Sequence, residues 1–136
     1  MENKFRGFYM ILSRGVIVAD EDTSALDIAR LMQEHNIGAV IIMRGEQVVG
    51  IVSERDIARR VTANELPSKA TKAKDFMTKQ VVTAEFKDGL DKIYEILCNS
   101  KFRHLPIMDN GKLVGIASQR DVIDSLLANK KKETTT

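Results

Sequence analysis

The chain contains the stretch Val48-Val49-Gly50-Ile51-Val52-Ser53-Glu54-Arg55-Asp56-Ile57 and, 65 residues later, the stretch Leu113-Val114-Gly115-Ile116-Ala117-Ser118-Gln119-Arg120-Asp121-Val122. Each stretch has an apolar run, a glycine, an apolar pair, and then Ser-x-Arg-Asp at the start of a helical pattern. The same offset, applied without gaps, also pairs Ile11-Leu12-Ser13 with Phe76-Met77-Thr78, Val16 with Val81, Ile28 with Ile93, and Met43 with Met108. The chain is therefore a tandem duplication, in which each copy is one supersecondary unit with an apolar face to bury.

The composition sets limits on the class of protein. The chain has 136 residues, 43% of them hydrophobic, which is enough for one compact domain made of two halves. Its 21 basic and 19 acidic residues nearly balance, so the net charge predicts neither a nucleic-acid partner nor an anionic membrane. A single cysteine, Cys98, excludes an internal disulfide, and the short apolar run Phe8 to Leu12 is no membrane span, so we expect a cytoplasmic protein.

The first copy predicts the order β-α-β-β-α. A β-branched run at Val16 to Val18 indicates a strand, and the apolar spacing from Ser24 to His35 indicates an amphipathic helix capped by its first residue. Two apolar runs, Gly38 to Met43 and Val48 to Val52, predict a buried pair of strands, after which Ser53 begins a second helix.

The second copy predicts the same order. Its elements are a strand at Val81 to Thr83, a helix from Asp88, strands at Leu105 to Met108 and Lys112 to Ala117, and a helix from Gln119 to about Ala128. Between those two strands, Asn110-Gly111 is typical of a tight hairpin turn. The predicted fold class is α/β (α+β), with repeats at 10–65 and 75–128, a linker at 66–74 around Pro67, and a disordered tail at 129–136.

The Ser-x-Arg-Asp element has a purely structural interpretation. A serine followed three residues later by a carboxylate is a helix-capping signal, and each cap contributes about 1 kcal/mol without any ligand. This interpretation applies equally to Ser53 with Asp56 and to Ser118 with Asp121. Capping alone could therefore explain both pairs.

Capping does not explain the arginines within these elements. Arg55 and Arg120 fall in the first helical turn, where the positive end of the helix dipole disfavours a cation by roughly 0.3 to 1 kcal/mol. Free backbone N–H groups, a hydroxyl and a guanidinium together suit a phosphate, and a nearby carboxylate can accept hydrogen bonds from ribose hydroxyls. Gly50 and Gly115, inside apolar strands, indicate that something approaches the backbone closely. We therefore favour a nucleotide-like ligand over capping alone.

Taken together, these motifs resemble a tandem pair of cystathionine-β-synthase (CBS) domains, a Bateman module, over almost the whole chain. The matching segments are Phe76-Met77-Thr78 ahead of Val81-Val82-Thr83, Phe102-Arg103-His104-Leu105-Pro106-Ile107, and the two Gly-Ile-x-Ser-x-Arg-Asp runs. The resemblance implies two repeats packed by pseudo-twofold symmetry. It also implies two clefts between the repeats that bind adenosine-containing ligands such as AMP, ADP, ATP, S-adenosylmethionine or NAD.

The resemblance also implies roles for particular residues. Asp56 and Asp121 would hold the ribose, whereas the serines and arginines beside them would meet phosphate. The segments near Val16 and Val81 and near Ile37 to Ala39 would line an adenine pocket. The full set of candidate ligand-binding residues is Ser118, Arg120, Asp121, Arg103, His104, Ile116, Ile37, Gly38, Val16, Ser53, Arg55, Asp56, Ile51, Val81 and Thr78.

The two repeats differ at one informative position. The second repeat has Arg103-His104-Leu105-Pro106 where the first has Gly38-Ala39-Val40-Ile41. Only the site of Asp121 is therefore rich in cations. We expect phosphorylated adenosine to bind more tightly there, and the site of Asp56 to prefer a less charged ligand or stay empty.

The remaining residues offer little chemistry. His35, His104 and Cys98 lack the spacing of a metal site, so no metal is predicted. The chain shows no nucleophile with a matching base and no glycine-rich phosphate loop, so we predict neither an enzyme nor a bound cofactor.

The sequence therefore predicts a stand-alone regulatory module that senses energy state or a metabolite, forms a homodimer, and acts on an effector protein. Two alternatives remain open. One is a ligand-free assembly or dimerisation module whose caps are only structural. The other is a small basic nucleic-acid binder, which only the lysines of the linker and the tail favour.

Overall fold

A computed structural model describes residues 16–99 and 103–134 of the chain. They form two compact units, which we call the first unit (residues 17–81) and the second unit (Val16 and the described residues from Val82 onward). The predicted counterpart of Phe76-Met77-Thr78, Ile11-Leu12-Ser13, lies outside the described residues, as does the predicted start of the first repeat at Met10.

The first unit is a three-stranded sheet with helices. Its elements are β1 (Val18–Asp20), α1 (Ala25–His35), β2 (Ala39–Arg44), β3 (Gln47–Ser53), α2 (Glu54–Asp56), a π-helix (Ile57–Thr62) that continues α2, and α3 (Ala73–Phe76). The strand order is β1-β2-β3, with β1 parallel and β3 antiparallel to β2. The predicted order β-α-β-β-α is confirmed.

Helix α1 begins and ends where its sequence predicts. The Ser24 hydroxyl accepts a hydrogen bond from the Asp27 N–H at 3.1 Å, and the helix ends at His35, before Asn36, whose φ of 52° is left-handed. The apolar side of α1 carries Ile28, which is fully buried against Val40 and Val52 of the sheet. This packing holds the helix on one side of the sheet.

The predicted linker is bound to the first unit. The Ala25 N–H donates to the Thr71 carbonyl and the Ala73 N–H donates to the Thr23 carbonyl, both at 2.8 Å. Helix α3 then places Phe76, only 4% exposed, in the core of this unit. The chain from Thr71 to Thr78 is therefore an integral part of the first unit, although the offset assigned its last residues to the second repeat.

The second unit repeats the architecture. Its elements are β4 (Ala84–Glu85), a 3-10 helix (Phe86–Asp88), α4 (Gly89–Asn99), β5 (His104–Asp109), β6 (Lys112–Ser118) and α5 (Gln119–Thr134). The strand order is β4-β5-β6, again with one parallel and one antiparallel pair. Ile93, Leu105 and Val122 are fully buried in its core.

The pairing of the strands confirms the duplication. Ala39 pairs with Ser53 in the first unit, and His104 pairs with Ser118 in the second, 65 positions later at both ends. The strand pairs also share a register shift at the same point, after Ile42 and after Ile107. The hairpin turn between β5 and β6 is confirmed as well, because Asn110 and Gly111 have φ angles of 51° and 80°.

Three predicted boundaries were wrong. The first strand begins at Val18 and not Val16, because it forms where the backbone can pair with Ile41 of β2. The strand predicted at Val81 to Thr83 lies instead at Ala84–Glu85, where Ala84 is buried and pairs with Ile107. The last helix was predicted to end near Ala128 before a disordered tail, whereas it continues to Thr134. Residues 129–134 contain no glycine or proline that would end it.

Within the described ranges, no helix is both long and apolar enough to cross a bilayer.

Candidate functional site

The first Ser-x-Arg-Asp element forms a complete capping box. The Ser53 hydroxyl accepts a hydrogen bond from the Asp56 N–H at 3.2 Å, and Asp56 Oδ2 accepts one from the Ser53 N–H at 2.9 Å. In the second unit, the Ser118 hydroxyl accepts from the Asp121 N–H at 3.0 Å. The capping interpretation of both serines is confirmed.

Asp56 makes more contacts than a cap requires. Its side chain is buried, and its carboxylate accepts hydrogen bonds from the hydroxyls of Ser53 at 3.2 Å and Thr78 at 3.3 Å. Arg60 Nε lies 3.6 Å from Asp56 Oδ1 and forms an ion pair with it. With the Ser53 N–H, four donors surround a group that offers about four acceptor positions. The predicted site residues Ser53, Asp56 and Thr78 thus lie together.

Thr78 reaches Asp56 because its backbone pairs with β3. The Ile51 N–H donates to the Thr78 carbonyl at 3.0 Å, and the Thr78 N–H donates back to the Ile51 carbonyl at 2.9 Å. A Cβ atom at Gly50 would collide with the Met77 side chain and lie 3.1 Å from the Thr78 carbonyl oxygen. The close approach predicted at Gly50 is therefore made by the chain's own Met77 and Thr78.

Arg60 is a site residue that the sequence analysis missed. Its Nη1 donates to the backbone carbonyls of Phe76 at 3.1 Å and Met77 at 3.3 Å, while its Nε faces Asp56. It therefore connects the capping carboxylate to the segment that carries Thr78. The position of Arg60, four residues after Asp56, is the spacing of an intrahelical ion pair and could have indicated this contact.

The arginines of the two Ser-x-Arg-Asp elements face solvent. Arg55 and Arg120 are exposed, and neither forms an ion pair with any residue that the structure describes. A cation in the first turn of a helix gains nothing from the helix dipole. No contact among the described residues therefore explains these two charges.

The end of a neighbouring strand contacts each of these helix starts. The Glu54 N–H donates to the Gly38 carbonyl at 3.0 Å, and the Gln119 N–H donates to the Arg103 carbonyl at 3.1 Å. In the second unit, His104 also pairs with Ser118 across the sheet. The cationic residues predicted for the second site, Arg103 and His104, therefore lie beside Ser118, Arg120 and Asp121, while the first site has Gly38 there.

The apolar site candidates are buried or half-buried. Ile37 packs against the core of the first unit, and Ile51 is 7% exposed. Ile116, Val16 and Val81 are half-buried. Their contribution to an adenine pocket stays a prediction.

Among the described residues, the titratable groups with shifted pKa values are Asp22, Lys74 and Tyr94, which are not among the predicted site residues. Lys74 Nζ lies 3.0 Å from Asp22 Oδ1, and this contact lowers the pKa of Asp22 and raises the pKa of Lys74. In the second unit, a hydrogen bond with the exposed Cys98 raises the pKa of Tyr94. Among residues 16–99 and 103–134, no three histidine, cysteine or acidic side chains are close enough to hold a metal ion.

Known proteins share this fold and sequence pattern. The chain is 39% identical over 123 residues to an uncharacterised 17.7 kDa protein of Acidianus ambivalens, which covers 86% of this chain and 71% of that protein. It is 31% identical to inosine-5'-monophosphate dehydrogenase of Thermoplasma acidophilum, covering 83% of this chain but 22% of the dehydrogenase. The chain spans only 57% to 63% of the length of three further curated relatives.

A solved structure agrees over nearly the whole chain. A protein with CBS domains from Burkholderia ambifaria superposes with a TM-score of 0.80 at 34% identity, covering 88% of this chain and 92% of that one. The family model that matches is that of the CBS domain, and it matches twice, at residues 9–63 and 73–128. The chain therefore belongs to the CBS-domain family and carries a tandem pair of these domains.

Proposed function

We propose that this chain is a regulatory module that binds an adenosine-containing ligand at its Ser-x-Arg-Asp helix starts. The ligand is AMP, ADP, ATP, S-adenosylmethionine or NAD, and its binding changes how the module pairs with itself or with an effector protein. Pairs of CBS domains are regulatory modules that often bind adenosine ligands. The cytoplasmic location expected from the sequence belongs to this proposal.

One observation carries the proposal. In the second unit, Arg103 and His104 lie beside the helix start formed by Ser118, Arg120 and Asp121. This arrangement combines a helix N-terminus, a hydroxyl and two exposed guanidinium groups, which suit a phosphate. The adjacent carboxylate suits the ribose hydroxyls.

The first unit offers a weaker phosphate site. The position of Arg103 is occupied by Gly38, and Asp56 already has four donors around it. A ribose hydroxyl would have to displace one of these donors to bind. A charge-assisted contact to phosphate contributes roughly 1.5 to 3 kcal/mol. We therefore propose that phosphorylated adenosine binds first at the second unit.

Titration calorimetry with AMP and adenosine tests this assignment. Arg120→Ala should weaken AMP binding by about tenfold or more, since 1.4 kcal/mol is a factor of ten, and should leave adenosine almost unchanged. Asp121→Ala should lose both ligands. Arg55→Ala is the matched control, because the same substitution at the first helix start should leave the tighter event intact. If Asp56→Ala abolishes the tighter event while Asp121→Ala does not, the assignment of sites is reversed.

The second candidate function is a ligand-free assembly module. The complete capping box at Ser53 and the donors around Asp56 favour it for the first unit, because they account for that carboxylate without a ligand. A thermal-shift panel of the five ligands and adenosine distinguishes the two functions. A ligand at a hundred times its Kd stabilises the protein by roughly 2.7 kcal/mol, whereas the assembly module would show no shift.

We further propose that the module acts as a homodimer, in which two copies meet through the helices of their two units.

A further inference from the structure

The helix that follows each Ser-x-Arg-Asp element has a different hydrogen-bond register in the two units. In the first unit, Ile57–Thr62 form the π-helix, at the end of which the Ala63 N–H donates to the Ala58 carbonyl, five residues earlier, at 2.9 Å. The equivalent residues 122–127 lie within the α-helix α5. The repeats align here without a gap, so no inserted residue accounts for the π-helix. Two segments of equal length therefore adopt two registers in one chain.

The register decides which side chains are buried. In α5, Val122 and Ser125 are buried and Leu126 is half-buried, at the spacing i, i+3, i+4 of an α-helix. In the first unit, the buried residues of the corresponding segment are Asp56 and Val61, which are five apart, as in a π-helix. The two helices therefore bury different positions of the repeat.

Arg60 explains why the first unit does not use the α register. The residue at its position in the second repeat is Ser125, only 5% exposed, whereas the Arg60 side chain is 51% exposed. An α register in the first unit would move residue 60 towards that buried position, and burying a guanidinium is costly unless its donors find partners. The π register keeps Arg60 at the surface and buries the apolar Val61 instead. A cation at position 60 therefore favours the π register.

In the π register, Arg60 lies on the first site. Its Nε lies 3.6 Å from Asp56 Oδ1, while its Nη1 donates to the Phe76 and Met77 carbonyls at 3.1 Å and 3.3 Å. These three contacts hold the cation on the carboxylate that the first site would offer to a ribose. In the second unit, Ser125 has neither the charge nor the length to do the same.

We propose that Arg60 closes the first site: its charge holds the helix in the π register, and its guanidinium occupies Asp56 so that ribose hydroxyls are excluded. Arg60 acts on the ligand through Asp56 and the helix, and it is therefore a positioning residue. The effect on ligand binding rests on the proposed function, whereas the effect on the register needs no ligand. The two effects can therefore be tested separately.

The register is measured first, on the ligand-free full chain. Nuclear magnetic resonance detects scalar coupling across a hydrogen bond, so it identifies the carbonyl that accepts from the Ala63 N–H. In the wild type this acceptor is Ala58. In Arg60→Ser, which carries the residue of the second repeat, we expect the acceptor to be Arg59, as in an α-helix.

Two further variants test whether charge is the cause. Arg60→Lys keeps a cation at this position and should keep Ala58 as the acceptor. Arg59→Ser is the matched control, because it removes an exposed arginine from the same π-helix, and it should also keep the π register. An α register in Arg60→Lys, or a π register in Arg60→Ser, would overturn the role of the Arg60 charge.

Titration calorimetry with adenosine then measures the effect on binding. Adenosine carries no phosphate, so it isolates the contact between the ribose and Asp56. An Asp121→Ala background removes binding at the second site. In that background, Arg60→Ser should tighten adenosine binding at least about tenfold, because the carboxylate no longer has to release a charged donor. Arg59→Ser should leave the adenosine Kd unchanged.

The outcomes separate this inference from the proposed function. If Arg60→Ser weakens adenosine binding or leaves it unchanged, Arg60 does not close the site and the inference fails, while binding of AMP at the second site stands. If no adenosyl ligand binds to the wild type or to any variant, the proposed function fails and the closing of the first site fails with it. A π register that persists in Arg60→Ser overturns the inference whatever the ligands do.

Discussion

Replacing Gly50 by alanine should destabilise the first unit, because the chain itself occupies the space that a side chain needs. The new Cβ would collide with Met77 Sδ and lie 2.8 Å from Met77 Cγ and 3.1 Å from the Thr78 carbonyl oxygen. Met77 is only 6% exposed, and two hydrogen bonds with Ile51 hold the Thr78 backbone. Neither neighbour can move away freely. Overpacking of this kind typically costs 1 to 3 kcal/mol, and we expect roughly 2 kcal/mol here.

Urea denaturation followed by circular dichroism measures this loss, and a double-mutant cycle with Met77→Ala identifies its cause. The Met77→Ala change alone removes a buried side chain and should cost about 2 to 5 kcal/mol. In the double variant, the alanine methyl group occupies space that the methionine side chain left. The losses in free energy of unfolding of the two single variants should therefore sum to at least about 0.5 kcal/mol more than the loss measured for the double variant.

Gly45→Ala is the matched control. Gly45 has a φ of 60°, and a Cβ atom added there would meet no other atom within 4 Å, so alanine introduces backbone strain without a collision. Its cost should add to that of Met77→Ala within about 0.5 kcal/mol. Strict additivity of Gly50→Ala with Met77→Ala, or a Gly50→Ala variant as stable as the wild type, would refute the packing of Met77 and Thr78 on β3.

Three further predictions concern single contacts. Arg60→Leu removes donors to two backbone carbonyls and to the capping carboxylate. Because the Arg60 side chain is half-exposed, the free energy of unfolding measured by urea denaturation should fall by only about 1 kcal/mol. The lowered pKa of Asp22 contributes stability that is present above its ordinary pKa of 3.8 and is lost as pH falls through the lowered folded value. When pH falls from neutral through this value, the melting temperature of Lys74→Met should therefore fall less than that of the wild type. An equal fall would contradict the role of the Asp22–Lys74 ion pair. Cys98→Ala should lower the pKa of Tyr94 towards its ordinary value of 10.0 in an ultraviolet titration, and an unchanged midpoint would show that Cys98 is not the cause.

Much of the fold could be predicted from the 65-residue offset. A duplication copies the apolar runs and the turn of each strand pair, and in a hairpin the turn length fixes the register of the two strands that it joins. The strand pairs Ala39 with Ser53 and His104 with Ser118 follow from it, as does the common register shift after Ile42 and Ile107. Local capping and turn signals then determined helix α1 and the β5–β6 hairpin.

The positions of the short strands could not be predicted in the same way. The runs at Val16 to Val18 and Val81 to Thr83 are more β-branched than Ala84–Glu85, yet the parallel strands form at Val18–Asp20 and Ala84–Glu85. An edge strand of two or three residues gains its stability from the backbone hydrogen bonds of its neighbour. Its position is therefore decided by β2 and β5 and not by its own propensity.

The environment of Asp56 also depends on packing between segments distant in sequence. Thr78 lies 22 residues from Asp56, and no local period indicates that the two meet. The glycine at position 50 was the signal of a close approach, but a glycine does not identify what approaches. The sequence suggested a ligand, and the structure places Met77 there.

The two repeats thus share their hydrogen-bonded frame and differ in what surrounds their carboxylates. Arg60 lies beside Asp56 in the first unit, whereas the residue 65 positions later, Ser125, is only 5% exposed and too short to form such an ion pair. A ligand that displaces Arg60 or Thr78 from Asp56 therefore disrupts contacts that also hold Phe76, Met77 and Thr78 in place, and the free energy of those contacts is subtracted from the affinity. If a ligand at the first site takes the place of the Thr78 hydroxyl at Asp56, the segment that carries Thr78 loses a contact with the helix start. Hydrogen exchange at the Ile51 and Thr78 amides should then accelerate when the site is filled. Unchanged exchange at saturation would mean that the ligand leaves the Asp56 contacts intact.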